Sequence, residues 1–384
     1  MNLFLTCSVG ALYSVHDLIA QESLSPNKLI IFSDPDVNPE MIEQILRNAD
    51  TDLFTQIEVF EMTEKIWSFR RKTIRKIRSI FIDLLDKHDF KKIFIDLIEA
   101  HYCLLAELAK ERNIELNLYE EGLYTYHPLF PSHKKTSVKF TVRAALHEFL
   151  DWRKPTFSPL RAAVKILGSF FSYPQKLKIR KIFFPKNLQS VFGKIRDFSN
   201  IYVVFPEKAR QIYRAEKYVK LVLKYRMNPK KQRKIDKKLS EIVFEPTDII
   251  YIDNEFGLES HISIVLSFFA EKYKNRRIYI KLHPKSKSKE AFLALAKDEN
   301  LDIRLIDLGD IEVPAEYILQ ARGAKNICGV FSSTLVYANE CLEDVNVVSF
   351  AKYYSRMAEQ AGADEKTMNF IEYMAGHLRA FDIE

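Results

Sequence analysis

Residues Asn113 to Gly122 read NIELNLYEEG, a mostly apolar run that ends in two glutamates and a glycine. A short run rich in Ile, Leu and Tyr that follows a helical pattern is typical of a strand in a parallel sheet. In open α/β sheets, ligands bind beyond the carboxyl ends of the strands. We therefore expect Glu120, Glu121 and Gly122 to lie at the mouth of a ligand crevice.

Two further apolar runs, 277–282 (RIYIKL) and 326–331 (NICGVF), also end in polar residues. The first is followed by His283-Pro284 and the second by Ser332-Ser333-Thr334. A carboxylate pair, an imidazole and a group of hydroxyls would then face one crevice. This set suits acid–base chemistry on a substrate with an anionic leaving group.

Each of these three segments has a chemical and a structural interpretation. Ser332-Ser333-Thr334 precedes a helical pattern, where hydroxyls and free backbone N–H groups bind anions, although an ordinary N-cap has the same sequence. His283 lies near this site and can donate a proton to a leaving group, whereas most single histidines are structural. In a crevice, repulsion and burial raise the pKa of one member of the Glu120-Glu121 pair and make it a candidate general base, whereas in a turn both are solvated.

Two more polar residues stand at predicted element ends. Asn254 follows an apolar run, 249–252, and is a candidate for the rim of the crevice. Glu316 begins a helical pattern after Val313-Pro314. Its carboxylate either stabilises the first turn of that helix or binds a ribose diol.

The chain of 384 residues is long enough for two domains. Apolar runs alternate with helical patterns in both halves, which predicts an α/β fold of two Rossmann-like domains facing a central cleft. We expect a first domain over 1–198, a second domain over 199–365 that opens with an apolar run at 201–205, and a C-terminal helix over 366–384.

Several classes of protein are disfavoured. The four cysteines show no paired spacing, so the sequence predicts neither a disulfide framework nor a metal site. Glycine-rich dinucleotide and P-loop motifs are absent from the sequence. Neither a secretory leader nor a run of about 18 apolar residues occurs, and we expect a cytoplasmic protein.

The net charge of +7 is unevenly distributed, because 131–240 holds 28 basic and 6 acidic residues. Such a segment attracts nucleic acid, anionic lipid or an acidic polymer, or is simply a solvated surface. Aromatic residues interleaved with the charges over 140–192 favour an interfacial helix or a polymer groove. A second basic amphipathic stretch, 65–87, is more typical of a helix that faces the core.

The order Glu120-Glu121-Gly122, His283-Pro284, Ser332-Ser333 resembles that of the bacterial sialyltransferases of the GT-B fold, including the capsule polysialyltransferase and lipooligosaccharide groups. Residues 313–316 (VPAE) are similar to the segment of that family that contacts the cytidine ribose. The resemblance covers most of the chain by order and spacing, but only about a dozen residues by identity.

The resemblance implies an inverting, metal-independent transfer of sialic acid from CMP-sialic acid, without a cofactor, to a glycan acceptor. It also implies that the domain over 1–198 binds the acceptor, that the domain over 199–365 binds the nucleotide sugar, and that the helix over 366–384 crosses back to the first domain. It implies that an acidic residue, Glu120 by position in the family pattern or else Glu121, deprotonates the acceptor. His283 would assist departure of CMP, Ser332 and Ser333 would hold its phosphate, and Glu316 would bind the ribose. We further assign Gly122, Pro284, Thr334 and Asn254 to substrate binding.

The basic segment then suits an anionic glycan acceptor or the anionic inner face of the membrane, where the enzyme would be peripheral. A CMP-Kdo transferase or a CDP-glycerol transferase of the teichoic-acid type would use similar chemistry. A nucleic-acid-binding protein explains the charge but not the strand-end residues, and known nucleic-acid motifs are lacking in the sequence.

Overall fold

A computed structural model of the protein describes residues 1–33, 39–61, 71–96, 100–129, 185–192, 195–254, 260–282, 289–298, 300–308 and 313–383. Residues 131–184, which hold about half of the basic segment 131–240, lie outside the described residues, as do residues 65–70 of the amphipathic stretch 65–87.

The first half of the chain builds a parallel sheet of seven strands in the order β3-β2-β1-β4-β5-β6-β7. The strands are β1 Asn2–Thr6, β2 Asn27–Ser33, β3 Gln56–Glu61, β4 Lys92–Ile95, β5 Glu115–Tyr119, β6 Asp197–Val203 and β7 Arg214–Lys220. The helices that connect them are α1 Val9–Glu22, α2 Pro39–Asn48, α3 Arg71–Lys87, α4 Ala100–Glu111 and α5 Pro206–Arg210. Short 3-10 segments span Thr51–Leu53, Leu123–Leu129 and Lys186–Phe192.

The second half builds a parallel sheet of five strands in the order β10-β9-β8-β11-β12. Its strands are β8 Ile249–Ile252, β9 Ile278–Lys281, β10 Ile303–Leu305, β11 Asn326–Gly329 and β12 Asn346–Ser349. The helices are α6 Pro229–Leu239, α7 His261–Lys272, α8 Lys289–Asp298, α9 Ala315–Arg322, α10 Ser333–Cys341, α11 Ala351–Gln360 and α12 Glu365–Arg379.

The central strands of both sheets are buried on both faces, as expected for parallel sheets covered by helices. In β1 every residue is buried, and in β8 all four are. The strand order reverses between β1 and β4 in the first sheet and between β8 and β11 in the second. Such reversals leave a crevice at the carboxyl ends of the strands. The predicted α/β fold with two Rossmann-like domains, the GT-B architecture, is confirmed.

The change from one sheet to the other comes later in the chain than predicted. Strand β6 pairs with β5, and β7 pairs with β6, so the run 201–205 belongs to the first sheet and does not open the second domain. The predicted limit at residue 198 cuts through β6. The chain leaves the first sheet after Lys220 and enters the second at Ile249.

The end of the chain lies against the first domain. Phe381, which follows α12, packs on Phe205 with ring centroids 4.8 Å apart and on Tyr126 at 5.4 Å. The Lys208 ammonium donates a hydrogen bond of 2.7 Å to the carbonyl of Ala380. These contacts connect the region after α12 to the seven-stranded sheet. Within the described ranges, no helix combines the length and apolar character needed to cross a membrane.

Candidate active site

A cleft of about 530 Å³ lies where the carboxyl ends of strands from both sheets meet. The first domain contributes the segment after β5, and the second contributes the ends of β8, β9 and β11 together with the starts of α9 and α10. The lining residues are Glu121, Gly122, Leu123, Tyr124, Ile252, Asp253, Asn254, Lys281, Leu282, Val313, Pro314, Ala315, Glu316, Phe331, Ser332, Ser333, Thr334, Met374 and His377. The cleft therefore brings together polar residues from both halves of the sequence.

Glu121 is the member of the acidic pair that lines the cleft. Its backbone N–H donates to the hydroxyl of Thr125 at 3.0 Å, which fixes the turn after β5. Gly122 follows with a φ of 137°, a backbone conformation that L side chains rarely adopt. The backbone conformation is therefore the reason for glycine at this position. Steric crowding is not the reason, because a Cβ there would meet no other atom within 4 Å.

Glu120 lies below the cleft and is only 1% exposed. Its carboxylate accepts hydrogen bonds from the Tyr126 hydroxyl at 2.6 Å, the Val204 N–H at 2.8 Å and the Tyr337 hydroxyl at 2.5 Å. Burial raises the pKa of Glu120 to about 7, although these three hydrogen bonds act in the opposite direction. Both carboxylate oxygens are engaged by protein groups.

The hydroxyl segment caps the first turn of α10. Ser332 is buried and extended, and its Oγ accepts from the N–H of Thr334 at 3.2 Å, as expected for an N-cap. Ser333, by contrast, is exposed. The N-terminus of α10 therefore presents an exposed hydroxyl and the positive end of the helix dipole to the cleft.

Glu316 joins the starts of two helices that line the cleft. It lies in the first turn of α9, and the Thr334 hydroxyl in α10 hydrogen-bonds to its carboxylate. Burial raises the pKa of Glu316, whereas this hydrogen bond, one from its own backbone and the charge of Lys281 lower it. A carboxylate beside hydroxyls and an ammonium group is suited to binding a polar ligand.

Asn254 stands at the end of β8 and lines the same cleft. Its Oδ1 accepts from the N–H of Phe331 at 3.4 Å, so it links the ends of β8 and β11. The neighbouring Asp253 is buried, and His261 Nε2 lies 3.0 Å from its Oδ1. The Tyr354 hydroxyl is 2.9 Å from the other ring nitrogen of His261. This buried polar network supports the floor of the cleft.

His283 and Pro284 lie outside the described residues. The structure brings the other predicted site residues to the cleft, except Glu120, which lies beneath it. Sequence reasoning missed Asp253, although the strand-end rule that selected Asn254 also applies to its neighbour. It also missed Met374 and His377 of α12, because the expected return of this helix does not indicate which of its residues reach the cleft.

Within the part of the chain that the structure describes, no group of three or more His, Cys, Asp and Glu side chains is arranged to hold a metal ion.

The sequence model of a family described as alpha-2,8-polysialyltransferase (POLYST) matches residues 2–351. The chain belongs to this family. It is therefore a glycosyltransferase of the sialyltransferase class, as the resemblance of the three strand-end motifs had indicated. A search of curated proteins found no relative of this sialyltransferase.

Solved structures that are similar to this sialyltransferase include Medicago truncatula UGT71G1 complexed with UDP-glucose, with 12% identity, 99% and 90% of the two chains covered, and a TM-score of 0.46. The match to Anabaena HepE in complex with UDP and glucose has 11% identity, covers 99% of this chain and 95% of that chain, and has a TM-score of 0.42. The match to UDP-N-acetylglucosamine 2-epimerase from Rickettsia bellii has 12% identity, covers 91% of this chain and 78% of that chain, and has a TM-score of 0.45.

Proposed function

We propose that this protein transfers sialic acid from CMP-sialic acid to the terminal sialic acid of a growing glycan, with inversion at the anomeric carbon. The observation that carries the proposal is the cleft in which Glu121 of one domain faces the N-terminus of α10 of the other. A base on one side and an anion site on the other are what this displacement needs. The family match across residues 2–351 supports sialic acid as the transferred sugar.

The donor is proposed to bind the second domain. Its phosphate would be held by Ser333, by Ser332 and by the backbone N–H groups that begin α10, where an anion is stabilised by the helix dipole. The Ser332 hydroxyl accepts from Thr334 through its oxygen and keeps its own proton for donation. Glu316, half-buried at the start of α9, would accept hydrogen bonds from the ribose diol.

The chemical step is proposed to be a direct displacement. The acceptor hydroxyl gives its proton to the carboxylate of Glu121, and its oxygen forms a bond to the anomeric carbon. The bond from that carbon to the phosphate oxygen breaks, and CMP leaves with the electron pair. His283, which follows β9 by two residues, would hydrogen-bond to or protonate the departing phosphate. No step in this sequence of bond changes calls on a metal or cofactor.

Glu121 is favoured over Glu120 as the base by the contacts of the two side chains. A general base must reach the acceptor proton within hydrogen-bond distance. Glu121 lines the cleft, whereas the carboxylate oxygens of Glu120 accept hydrogen bonds from Tyr126, Val204 and Tyr337. This choice departs from the family pattern, which favours the first acidic position.

An anionic glycan is the proposed acceptor, because the chain concentrates positive charge over 131–240 and belongs to a family of polysialyltransferases. The same charge suits a peripheral position on an anionic membrane face, where capsule or lipooligosaccharide synthesis would place the acceptor.

The test is a transfer assay with CMP-sialic acid and an α2,8-linked oligosialic acid acceptor. Wild-type protein should elongate the acceptor and release one molecule of CMP for each sialic acid residue that it adds. Glu121→Gln should lower the rate of transfer by about 10²-fold or more, the usual cost of losing a general base. Glu359→Gln, which changes an exposed glutamate of α11, is the matched control and should leave the rate unchanged.

Two outcomes would contradict the proposal. Transfer at the wild-type rate by Glu121→Gln would remove Glu121 from the chemistry. Failure of the wild-type protein to release CMP, together with turnover of CMP-Kdo or CDP-glycerol, would replace the donor that we propose.

A further inference from the structure

The last helix, α12, forms one wall of the cleft. Its residues Met374 and His377 line the cleft together with the segment that follows β5. They are three positions apart and therefore lie on the same face of the helix. The buried residues Ile371 and Leu378 anchor an adjoining face in the core. Neither Met374 nor His377 has a task in the proposed chemical step, so their place in the cleft needs a separate explanation.

Contacts with both domains hold α12 in this position. The helix packs against α11 of the second domain. Its first turn is capped by Asp364, whose carboxylate accepts the N–H of Thr367 at 2.7 Å. Beyond its last turn, Phe381 packs on Phe205 and Tyr126 of the first domain. The helix therefore connects the two domains beside the cleft, and its cleft-lining face is a fixed part of the wall.

The end of α12 lies toward the first domain. Tyr126, which Phe381 contacts, belongs to the 3-10 segment Leu123–Leu129, and the first two residues of that segment line the cleft. His377 precedes Phe381 by only four residues. The proposed donor site, by contrast, is formed by the starts of α9 and α10 in the second domain. His377 is thus placed on the side from which an acceptor would reach the donor.

The charges around the cleft single out His377. Three of the lining residues are carboxylates, namely Glu121, Asp253 and Glu316. Among the lining residues that the structure describes, Lys281 and His377 alone are of types that can be positively charged near pH 7. Lys281 ends β9 in the second domain, and its charge acts on Glu316. On the side of the first domain, His377 is therefore the described lining residue that is suited to binding an anionic group.

A histidine at this position can bind a carboxylate in a defined direction. An imidazole donates an N–H hydrogen bond in both its neutral and its protonated form. Tyr373, about one turn earlier in α12, packs edge-on against His377, with ring centroids 4.3 Å apart and planes at 72°. Both residues are partly buried. The imidazole is therefore positioned before a ligand arrives, which lowers the entropic cost of binding.

Met374 adds an apolar contact beside this polar one. Its flexible thioether side chain adapts to small apolar groups. A sialic acid residue carries both matching groups, a carboxylate and the methyl of its acetamido group. A neutral hexose lacks both, and a Kdo residue has the carboxylate without the acetamido group. The pair of residues on α12 therefore fits sialic acid better than either of these sugars.

We propose that His377 binds the carboxylate of the terminal sialic acid residue of the acceptor, and that Met374 packs on the methyl of its acetamido group. Helix α12 then selects the acceptor, because it favours a glycan that already ends in sialic acid over one that ends in a neutral sugar or in Kdo. This inference rests on the proposed function, and it assigns the specificity for the acceptor to the helix that returns from the second domain.

The first test compares His377→Phe with Arg379→Gln in the transfer assay. His377→Phe keeps a ring for Tyr373 to pack on and removes the N–H donors. Arg379→Gln removes an exposed positive charge from the same turn of α12 and is the matched control. His377→Phe should raise the KM for oligosialic acid by about 10-fold or more, with the KM for CMP-sialic acid and kcat within about 2-fold of wild type, because it loses a hydrogen bond to a charged group of the acceptor. Arg379→Gln should keep all the wild-type values.

A modified acceptor distinguishes direct binding from a structural effect. In an oligosialic acid whose terminal carboxylate has been converted to an amide, the proposed partner of His377 is missing. This change should raise the acceptor KM of the wild type by about 10-fold or more, but that of His377→Phe by less than about 2-fold. Equal effects of the amide on the two proteins would overturn the inference. A rise in the KM for CMP-sialic acid in place of the acceptor KM would also overturn it, because His377 would then bind the carboxylate of the donor.

The Met374 contact is tested separately and does not depend on the folding of the His377 variant. Met368 is a second partly buried methionine of α12 that does not line the cleft, so Met368→Ala is the control for Met374→Ala. An acceptor with a terminal N-formyl group in place of N-acetyl lacks one methyl group, which should raise the KM about 4-fold for the wild type and for Met368→Ala. Met374→Ala should show almost no such preference. The same preference in all three proteins would reject the contact.

The outcomes also separate this inference from the proposed function. A wild type that elongates oligosialic acid, together with a wild-type acceptor KM in His377→Phe, would retain the function and reject the role of His377. If melting curves show that His377→Phe does not fold, the wild type alone decides, since an acceptor KM that the terminal amide leaves unchanged rejects the role. A wild type that does not transfer sialic acid from CMP-sialic acid would reject the proposed function and the inference with it.

Discussion

The carboxylate of Asp17, fully buried in α1, accepts the backbone N–H of Tyr225 at 2.7 Å. It also accepts the N–H of Lys224 at 2.7 Å and lies 3.1 Å from the guanidinium of Arg226. These residues belong to the segment between β7 and α6, where the chain passes from one sheet to the other. Tyr225 has a φ of 51°, which is uncommon for a side chain of this size, and Asp17 stabilises that conformation. A single carboxylate thus anchors the connection between the domains.

Asp17→Asn should therefore destabilise the protein. The amide keeps one acceptor oxygen but turns an N–H group toward backbone donors and leaves Arg226 without its partner. We expect the free energy of unfolding to fall by about 2–4 kcal/mol, as for the loss of a buried hydrogen-bonded charge. Urea denaturation measures the change. Asp52→Asn, at an exposed position, is the control, and similar stabilities for the two variants would contradict the role of Asp17.

The buried Glu120 predicts a dependence of stability on pH. Its pKa rises from 4.5 to about 7 on folding, so between these pH values the folded state keeps a proton that the unfolded state has lost. The contribution of Glu120 to the free energy of unfolding should then fall as the pH increases from about 4.5 to about 7, by on the order of 3 kcal/mol, and stay constant above pH 7.

Glu120→Gln isolates this effect because it removes the titration while keeping the size of the side chain. The difference in melting temperature, wild type minus variant, should decrease as the pH is raised from 5 to 7. Melting curves of both proteins in matched buffers provide the measurement. A difference that is independent of pH would mean that Glu120 titrates alike in the folded and unfolded states.

The two adjacent serines should respond differently to alanine. Ser332 is buried and caps α10, so Ser332→Ala should lower stability by about 1 kcal/mol and also weaken binding of CMP. Ser333 is exposed, so Ser333→Ala should leave stability within about 0.5 kcal/mol of wild type and weaken only the binding of CMP. Thermal melting and calorimetric titration with CMP measure the two effects. Normal CMP affinity in both variants would place the phosphate elsewhere.

Gly122→Ala should reduce both stability and activity. The Cβ meets no steric obstacle, but the φ of 137° is unfavourable for alanine, and the expected cost is about 1–3 kcal/mol. Relief of this strain would move the neighbouring Glu121 and lower kcat. The transfer assay and a urea denaturation curve test both effects, and a variant with wild-type values for each would show that the turn tolerates a side chain.

Much of the fold could be predicted from the sequence because each central strand is a short apolar run. Strand β7 could not be predicted in this way, because it lies at the edge of the sheet and its sequence, RAEKYVK, is polar and largely solvent-accessible. An edge strand with one neighbour has little apolar surface to bury, so its sequence lacks the pattern of a strand. Because the sequence does not indicate β7, it predicts that the run 201–205 opens the second domain.

The candidate site could be predicted in part for a related reason. The carboxyl ends of the strands meet at one edge of any parallel sheet, so the sequence predicts Glu121, Asn254 and Ser333 as site residues without any information on their contacts. The burial of Glu120 could not be foreseen, because it depends on Val204 and Tyr337, which are 84 and 217 residues away in the chain. Local patterns carry no information about such distant partners, and an acidic pair at a strand end has the same sequence whether it is solvated or buried.

The most direct test of the proposed function is NMR of the transfer reaction itself, with CMP-sialic acid, an oligosialic acid acceptor and the wild-type protein. We predict a new sialic acid residue joined to the non-reducing end of the acceptor, with an anomeric configuration opposite to that of the donor and one CMP released for each residue added. Retention of the donor configuration, or release of CMP without any new glycosidic bond, would contradict the displacement that we propose.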